Sequence, residues 1–430
     1  MTARLNSGEP VTLLEIERGF RDAALRGGNV LFTKFLSEMN DTAPTCPECT
    51  SEGHMKDLGA RSKNIVSLLG EGTITRTYYG CGCGYHSFPK DELLDIESTS
   101  YTPGVRRVVS QLAACDSFER SSGMLEEICG IYVSGKDTER IAEAVGAAIE
   151  AKNAKKIEEA FSLNGAGLSA GTNIPIMYIE FDGTGVPVMK RETSGRKGKQ
   201  EDGTAKTREA KLGCIFTQTE LNEKLEPVRD KNSTTYFGAI ETSDGFGKRL
   251  YMEAAQRGVA SAAKVVVLGD GAKWIWNLAD EHFPKATQII DLFHAKEHLC
   301  DFIKSVFPDA EMRRAKEKEW MELLEAGKIE ELSKEMAQYA GSSEEDREEL
   351  EREVNYFRDN AKRMQYKYFK SQGFFVGSGV IEAGCKNVIG KRLKQSGMHW
   401  SVWGANAIIA LRCAILSGNF RLPSFARKTA

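Results

Sequence analysis

Three carboxylates, far apart in the 430-residue chain, stand where acids do metal chemistry. Asp182 and Asp270 each precede a glycine, and each follows an apolar run, Ile174 to Phe181 and Lys264 to Leu268, that reads as a buried strand. Asp-Gly is also a common turn dipeptide, and a simple turn former is the alternative reading of either one alone. Open α/β sheets gather ligands at the carboxyl ends of their strands, so both aspartates could face one site. The third acid, Glu382, stands in Gly377-Ser378-Gly379-Val380-Ile381-Glu382 at the start of an expected helix, with Val380, Ile381, Val388, Ile389 and Leu393 as its buried stripe. No Asp or Glu follows Glu382, whereas Lys386, Lys391, Arg392, Lys394, Arg412, Arg421, Arg427 and Lys428 do. Glu382 and Lys386 also have the spacing of an ordinary i,i+4 ion pair. Taken together, three carboxylates are what two hard cations, Mg²⁺ or Mn²⁺, require beside a phosphodiester.

A second group of residues points to a softer metal. Cys46-Pro47-Glu48-Cys49 is answered by Cys81-Gly82-Cys83, with strand-like Thr73 to Tyr79 before the second pair. Two close pairs of thiolates suit a tetrahedral structural zinc, with His54 or His86 as possible replacements for one sulfur. His294 and His298, with Glu297 between them, have the spacing of an inverted metalloprotease motif, but structural histidines are the plainer reading.

The elements that must position these groups follow from hydrophobic periodicity. Residues 1–40 read as a helical segment, 41–91 as a zinc-ribbon-like module, and 92–172 as helices with a possible helix-turn-helix. In that motif Lys136, Thr138 and Arg140 would meet DNA. Strands and helices over 173–300 describe a mixed sheet flanked by helices. Residues 301–371 read as an all-helical insertion with Leu350, Val354, Phe357 and Met364 inward, 372–419 as the closing helices, and 420–430 as a basic tail. The glycine-containing loop from Lys190 to Lys211 carries Arg196, Lys197 and Lys199, expected at phosphates. Trp400 and Trp403 could stack on an unpaired base, although core packing is their commoner fate.

Net charge is −3 with 28% charged and 41% apolar residues, so a nucleic-acid partner must be sought in local charge. No signal-peptide or membrane-spanning apolar run and no Gly-x-x-x-x-Gly-Lys phosphate loop is present, so the expectation is a cytoplasmic, nucleoid-associated protein with no nucleotide cofactor.

Asp182-Gly-Thr-Gly, Leu268-Gly-Asp270-Gly-Ala-Lys-Trp-Ile, Asp291-Leu-Phe-His294-Ala and Gly377-Ser-Gly-Val-Ile-Glu382 together resemble DDE transposases of bacterial insertion sequences, particularly the ISKra type. The resemblance runs from about Pro44 to Asn419. It implies an α/β, RNase H-like core interrupted by the helical insertion and preceded by the zinc-ribbon-like module and DNA-binding helices. It further implies Asp182, Asp270 and Glu382 as ligands of two Mg²⁺ ions, with Asp291 and His294 as an accessory signature. The expected activity is cleavage and strand transfer on double-stranded DNA, element ends and target, by a homodimer or larger assembly. Lys386 and Arg392 would neutralise phosphate charge beside the triad, and Lys391 and Lys394 would contact DNA. The alternatives are a non-catalytic DNA-binding protein of the same origin and a structure-specific two-metal nuclease.

Overall fold

A capping box starts the first element. The Thr12 hydroxyl accepts the Glu15 N–H, and the Glu15 carboxylate accepts the Thr12 N–H, so the orphan donors of helix α1 (Leu13–Glu38) are satisfied. The computed structural model describes residues 11–49, 54–162, 174–198, 200, 203–339, 341 and 343–425. They fall into two compact units, one holding residues up to Ala148 and those from Arg421, the other Ile149–Phe420.

In the first unit, strands β1 (Lys56–Ser67) and β2 (Gly70–Gly80) form an antiparallel hairpin, and β3 (His86–Ser87) pairs with the end of β2. Leu36 of α1 packs with Ile65, Ile74 and Ile96 to give the hairpin its core. The short helix α2 (Pro89–Leu93) places Asp91 within 3.1 Å of Lys63 and 2.9 Å of Arg76, a buried charge held by two cations. Helices α3 (Pro103–Cys115), α4 (Phe118–Cys129) and α5 (Gly135–Ser162) share a core of Val105, Val109, Leu125, Ile131, Val133 and Ile141. Gly130, at φ 70°, ends α4 as a left-handed cap. The Ser134 hydroxyl caps α5 by accepting the Asp137 N–H at 3.1 Å. The described part of the basic tail is packed: the Phe425 N–H donates to Asp95 at 2.8 Å, and the Phe425 ring lies 4.9 Å from the Arg106 guanidinium.

The second unit is built on a five-stranded sheet. Strand β4 (Ile174–Pro187) runs antiparallel to β5 (Thr207–Gln218), which leads to a two-stranded hairpin, β6 (Glu220–Leu221) with β7 (Pro227–Val228). Strand β8 (Thr235–Ala239) returns antiparallel to β5. After helix α6 (Ser243–Gln256), strand β9 (Ala262–Gly269) lies parallel to β4. Helix α7 (Lys273–His282) then leads to β10 (Thr287–Ile290), parallel to β9. The spatial order is β10-β9-β4-β5-β8. Helices α8 (Leu292–Val306), α9 (Ala310–Ala326), α10 (Ile329–Met336), α11 (Glu344–Asp359) and α12 (Tyr366–Ser371) follow. Leu350, Val354, Phe357 and Met364 are buried, as their spacing predicts. The expected helix after Gly377 is α13 (Gly379–Gly384), a π-helical turn over Cys385–Gly390 and a last α-turn at Lys391–Leu393. Helix α14 (Val402–Leu416) closes the unit against β8.

One expectation is corrected, and one pair of alternatives is decided. Asp182-Gly183 is not a turn: β4 continues through it, and Asp182 pairs with Leu212 of β5. Gly183 serves close approach instead, because a Cβ there would stand 2.5 Å from the Glu209 carboxylate. Trp400 is 6% exposed, and its indole N–H donates to the Leu393 carbonyl at 3.1 Å, so it is core.

Candidate catalytic and metal sites

The site in the second unit begins where two parallel strands part. The last β4–β9 pair is Glu180 with Leu268, and Asp182 and Asp270 each lie two residues further along their chains. The two acids therefore leave the paired region in register. Asp182 accepts its neighbour Gly183 N–H at 2.6 Å, and Asp270 accepts the Ala272 N–H at 2.8 Å. Burial raises the Asp182 carboxyl above the usual carboxylate range, and the charge of Asp270 adds to it. His294 opposes that rise weakly.

Asp291 follows β10 and is a hub. Its N–H donates to the Gly269 carbonyl at 2.8 Å, while its carboxylate accepts the His294 N–H at 2.7 Å, capping α8. The other carboxylate oxygen accepts the Ser378 N–H, and the next residue, Leu292, donates its N–H to the Val376 carbonyl at 2.9 Å. Asp291 is 1% exposed and thereby fastens the segment leading to Glu382 onto the edge of the parallel strands.

The strand bearing Asp182 holds the same segment by a ladder. Tyr178, Glu180 and Asp182 alternate along β4 and so share a face. The Tyr178 hydroxyl accepts the Phe375 N–H at 3.1 Å, Glu180 accepts the Ile381 N–H at 2.9 Å, and the Cys385 thiol donates to Asp182 at 3.6 Å. Glu382 is thus one residue beyond a hydrogen bond to the Asp182 strand. It accepts the Ser378 hydroxyl at 3.1 Å and is exposed. No Glu382–Lys386 ion pair occurs among the described residues. Glu180, a residue the motif reading passed over, is wholly buried, and burial pushes its carboxyl up to about 8. Its signal was legible: a carboxylate inside an otherwise apolar strand, two residues before an acid of interest.

The helices that follow β10 reach this site too. Glu353 of α11 lies 2.8 Å from His298 Nδ1, and Tyr356 stacks on the His298 ring at 4.1 Å between centroids. The hydrogen bond to Glu353 raises the His298 pKa. The Tyr356 ring also covers Gly271, where a Cβ would come within 2.1 Å of it. His294 instead lies 3.4 Å from Glu297. With each histidine engaged by its own glutamate, the inverted metalloprotease arrangement does not form.

The basic residues divide. Lys386 and Lys391 are exposed, and Lys394 donates to the Thr184 hydroxyl at 2.5 Å, two residues along from Asp182. Arg392 is a correction: it is wholly buried, 5.0 Å over the Trp400 ring, so it supports the helix and does not reach a phosphate. Arg196 and Lys197 are exposed, with Lys197 bridged to Thr204, while Lys199 lies outside the described residues. In the first unit Lys136 is exposed, and Arg140 is held by Asp137 at 2.7 Å. Thr138 is buried at 1% and is not available for contact.

The four cysteines of the first unit come together. Cys46, Cys49, Cys81 and Cys83 offer sulfurs all within 4.8 Å of one another, with Cys46–Cys83 at 3.6 Å and Cys49–Cys81 at 3.3 Å. Tetrahedral Zn–S bonds put sulfurs about 3.8 Å apart, so the tetrad can hold zinc with Cys83 as its fourth member. His86 is occupied in stacking on Tyr78, and His54 bridges Thr45 through its backbone. Among the described residues this is the one group of three or more His, Cys, Asp or Glu side chains within that radius, so Asp182, Asp270 and Glu382 do not close on a single ion's shell. No helix among the described residues is long and apolar enough to cross a membrane.

No curated protein matches the chain in sequence. Among solved structures it is similar to the Drosophila P element transposase strand transfer complex, at 7% identity and a TM-score of 0.34, over 74% of this chain and 92% of that one. Residues 54–423 match UPF0236, an uncharacterised protein family, and a match over that much of the chain makes this protein a member of it.

Proposed function

We propose that this chain is a DDE-type DNA transposase that binds the ends of its element, cuts them and joins the freed 3′ ends to new DNA. The observation that carries the reading is the pairing of Asp182 and Asp270, in register where β4 and β9 part, with Glu382 tied to the same strand through the Glu180–Ile381 hydrogen bond. On this reading the sheet is an RNase H-like core, supported by three antiparallel strands followed by two parallel ones on the other side of β4. Asp182, Asp270 and Glu382 would hold two Mg²⁺ or Mn²⁺ ions. Their hard oxygen donors suit such ions, and two ions about 3.5–4 Å apart spread their ligands more widely than one shell does. Bound there, the metals would supply charge for in-line attack on a phosphodiester, first by water and then by a 3′-hydroxyl.

The remaining groups take supporting roles. Asp291 and the β4 ladder orient Glu382, and Lys386 and Lys394 face the developing phosphate charge. The Cys46–Cys83 tetrad would hold a structural zinc, and Lys136 would meet the DNA backbone. Two ends must be held together, so the working form would be a homodimer or larger assembly on DNA. The test is metal-dependent cleavage of labelled DNA from the flanks of the coding sequence, comparing the parent with Glu382→Gln and following DNA binding in parallel. Cleavage and joining lost in the variant while binding persists is the expected result. Equal cutting by both proteins removes Glu382 from the site. Cutting without joining of paired ends favours a nuclease, and binding without cutting favours a non-catalytic DNA-binding protein.

A further inference from the structure

Glu382 also belongs to a feature beyond the β4 ladder. It lines a cavity of about 1040 Å³ between the β6–β7 hairpin and the segment leading into α13. That volume is at the upper end for small-ligand pockets. The walls are largely apolar. Phe293, two residues past the Asp291 hub, is 66% exposed, and across from it the hairpin contributes Leu221 and Leu225 at 41% and 74% exposure.

The hairpin tip is built to present this surface. The Asn222 side chain accepts the Lys224 and Glu226 N–H groups, both at 2.9 Å, and Leu225 between them is held at φ 62°. A branched side chain in the left-handed region is a local cost that the rest of the tip sustains. Lys224 and Lys370 also line the cavity, and neither forms an ion pair among the described residues. The acid of the tip, Glu226, is engaged by the Asn222 amide at 2.9 Å.

We propose that this cavity takes an unpaired nucleotide of the strand being cut, its base against Phe293 and its phosphates toward Lys224 and Lys370. The inference rests on the reading of Glu382 as a ligand of the cutting metals. Three features favour that occupant. The cavity opens on Glu382, so what fills it is continuous with the group that meets the acid. Its apolar walls suit a flat ring, and its two lysines suit a flanking phosphate. Within a duplex the base faces are hidden in the stack, so only an unpaired or flipped base can meet the Phe293 ring.

The test uses the full chain, a blunt labelled duplex, and the same duplex with a short unpaired 3′ extension, with Ca²⁺ present to suppress cutting. Fluorescence anisotropy should show tighter binding of the extended duplex. Phe293→Ala should lose that preference, by about 10-fold, with blunt-duplex affinity unchanged, because base–aromatic stacking contributes about 1–3 kcal/mol per base. Phe293→Tyr should restore it. If the parent binds both duplexes equally, or if Phe293→Ala keeps the preference, the cavity does not take a base. The transposase reading then still stands on the Glu382→Gln comparison. If neither duplex is bound, the inference and the reading beneath it fall together.

Discussion

A buried acid is informative because it is costly. Glu180 keeps no exposed surface, and two of its partners are an amide N–H and the Cys214 thiol 3.9 Å away. Neither is a cation, and although Arg229 opposes the shift, burial raises its pKa from 4.5 to about 8. The sign of the consequence follows from linkage. The folded protein holds a proton that the unfolded chain releases near 4.5, so the stability contributed by Glu180 is complete below that value and is lost as pH rises to about 8. Glu180→Gln keeps an acceptor for the Ile381 N–H and cannot titrate. Relative to the parent, the variant should therefore gain stability between about pH 5 and about pH 9, read as the difference in denaturant midpoints with a chelator present. A pH-independent difference would mean that Glu180 titrates as an ordinary carboxylate.

At the scale of elements, helix α11 meets the Asp270 loop through one contact, Tyr356 over Gly271. Gly271→Ala would place a methyl group inside the Tyr356 ring, and overpacking of this kind costs about 1–3 kcal/mol. Chemical denaturation should show that loss, and a Tyr356→Ala background should abolish most of it, since neighbours that share one contact are not additive. Equal losses in both backgrounds would remove Tyr356 as the cause. The Asp-Gly dipeptide illustrates how far the sequence could be read. It marked Asp270 correctly as a position just past a buried strand, because apolar runs and their ends are local signals, but it misplaced Asp182, through which β4 continues. What it could not convey was register, which depends on where β9 stops pairing with β4. At Asp182 the glycine serves the Glu209 approach, and at Asp270 it serves Tyr356, though the dipeptide is the same. The π-helical turn at Cys385–Gly390 was similarly hidden, since it shifts the helical phase without changing the apolar residues that mark it. Arg392 was read as a surface group because its burial depends on packing over Trp400, a pairing that periodicity does not reveal.

Charge matters at the scale of the whole molecule, and there the net value misleads. A total of −3 predicts no affinity for DNA, yet no acid follows Glu382, while α11 carries Glu344-Glu-Asp-Arg-Glu-Glu-Leu-Glu351. Attraction to a polyanion is governed by the face it meets and by the counterions released there, not by the sum over the chain. Lys391 and Lys394 are exposed on the acid-free stretch, and Lys394 touches Thr184 on the Asp182 strand. If DNA lies across this face, binding should weaken steeply with salt, and each lysine contributes one phosphate contact. Lys391→Ala and Lys394→Ala should each lower the slope of log K against log salt by about 1. The weakening should be uniform across duplex sequences, because a phosphate contact reads no base. A loss confined to one sequence would assign the lysine to base recognition. An unchanged slope would put the duplex elsewhere, and the exposed Arg196–Lys197 ribbon would be the next face to neutralise.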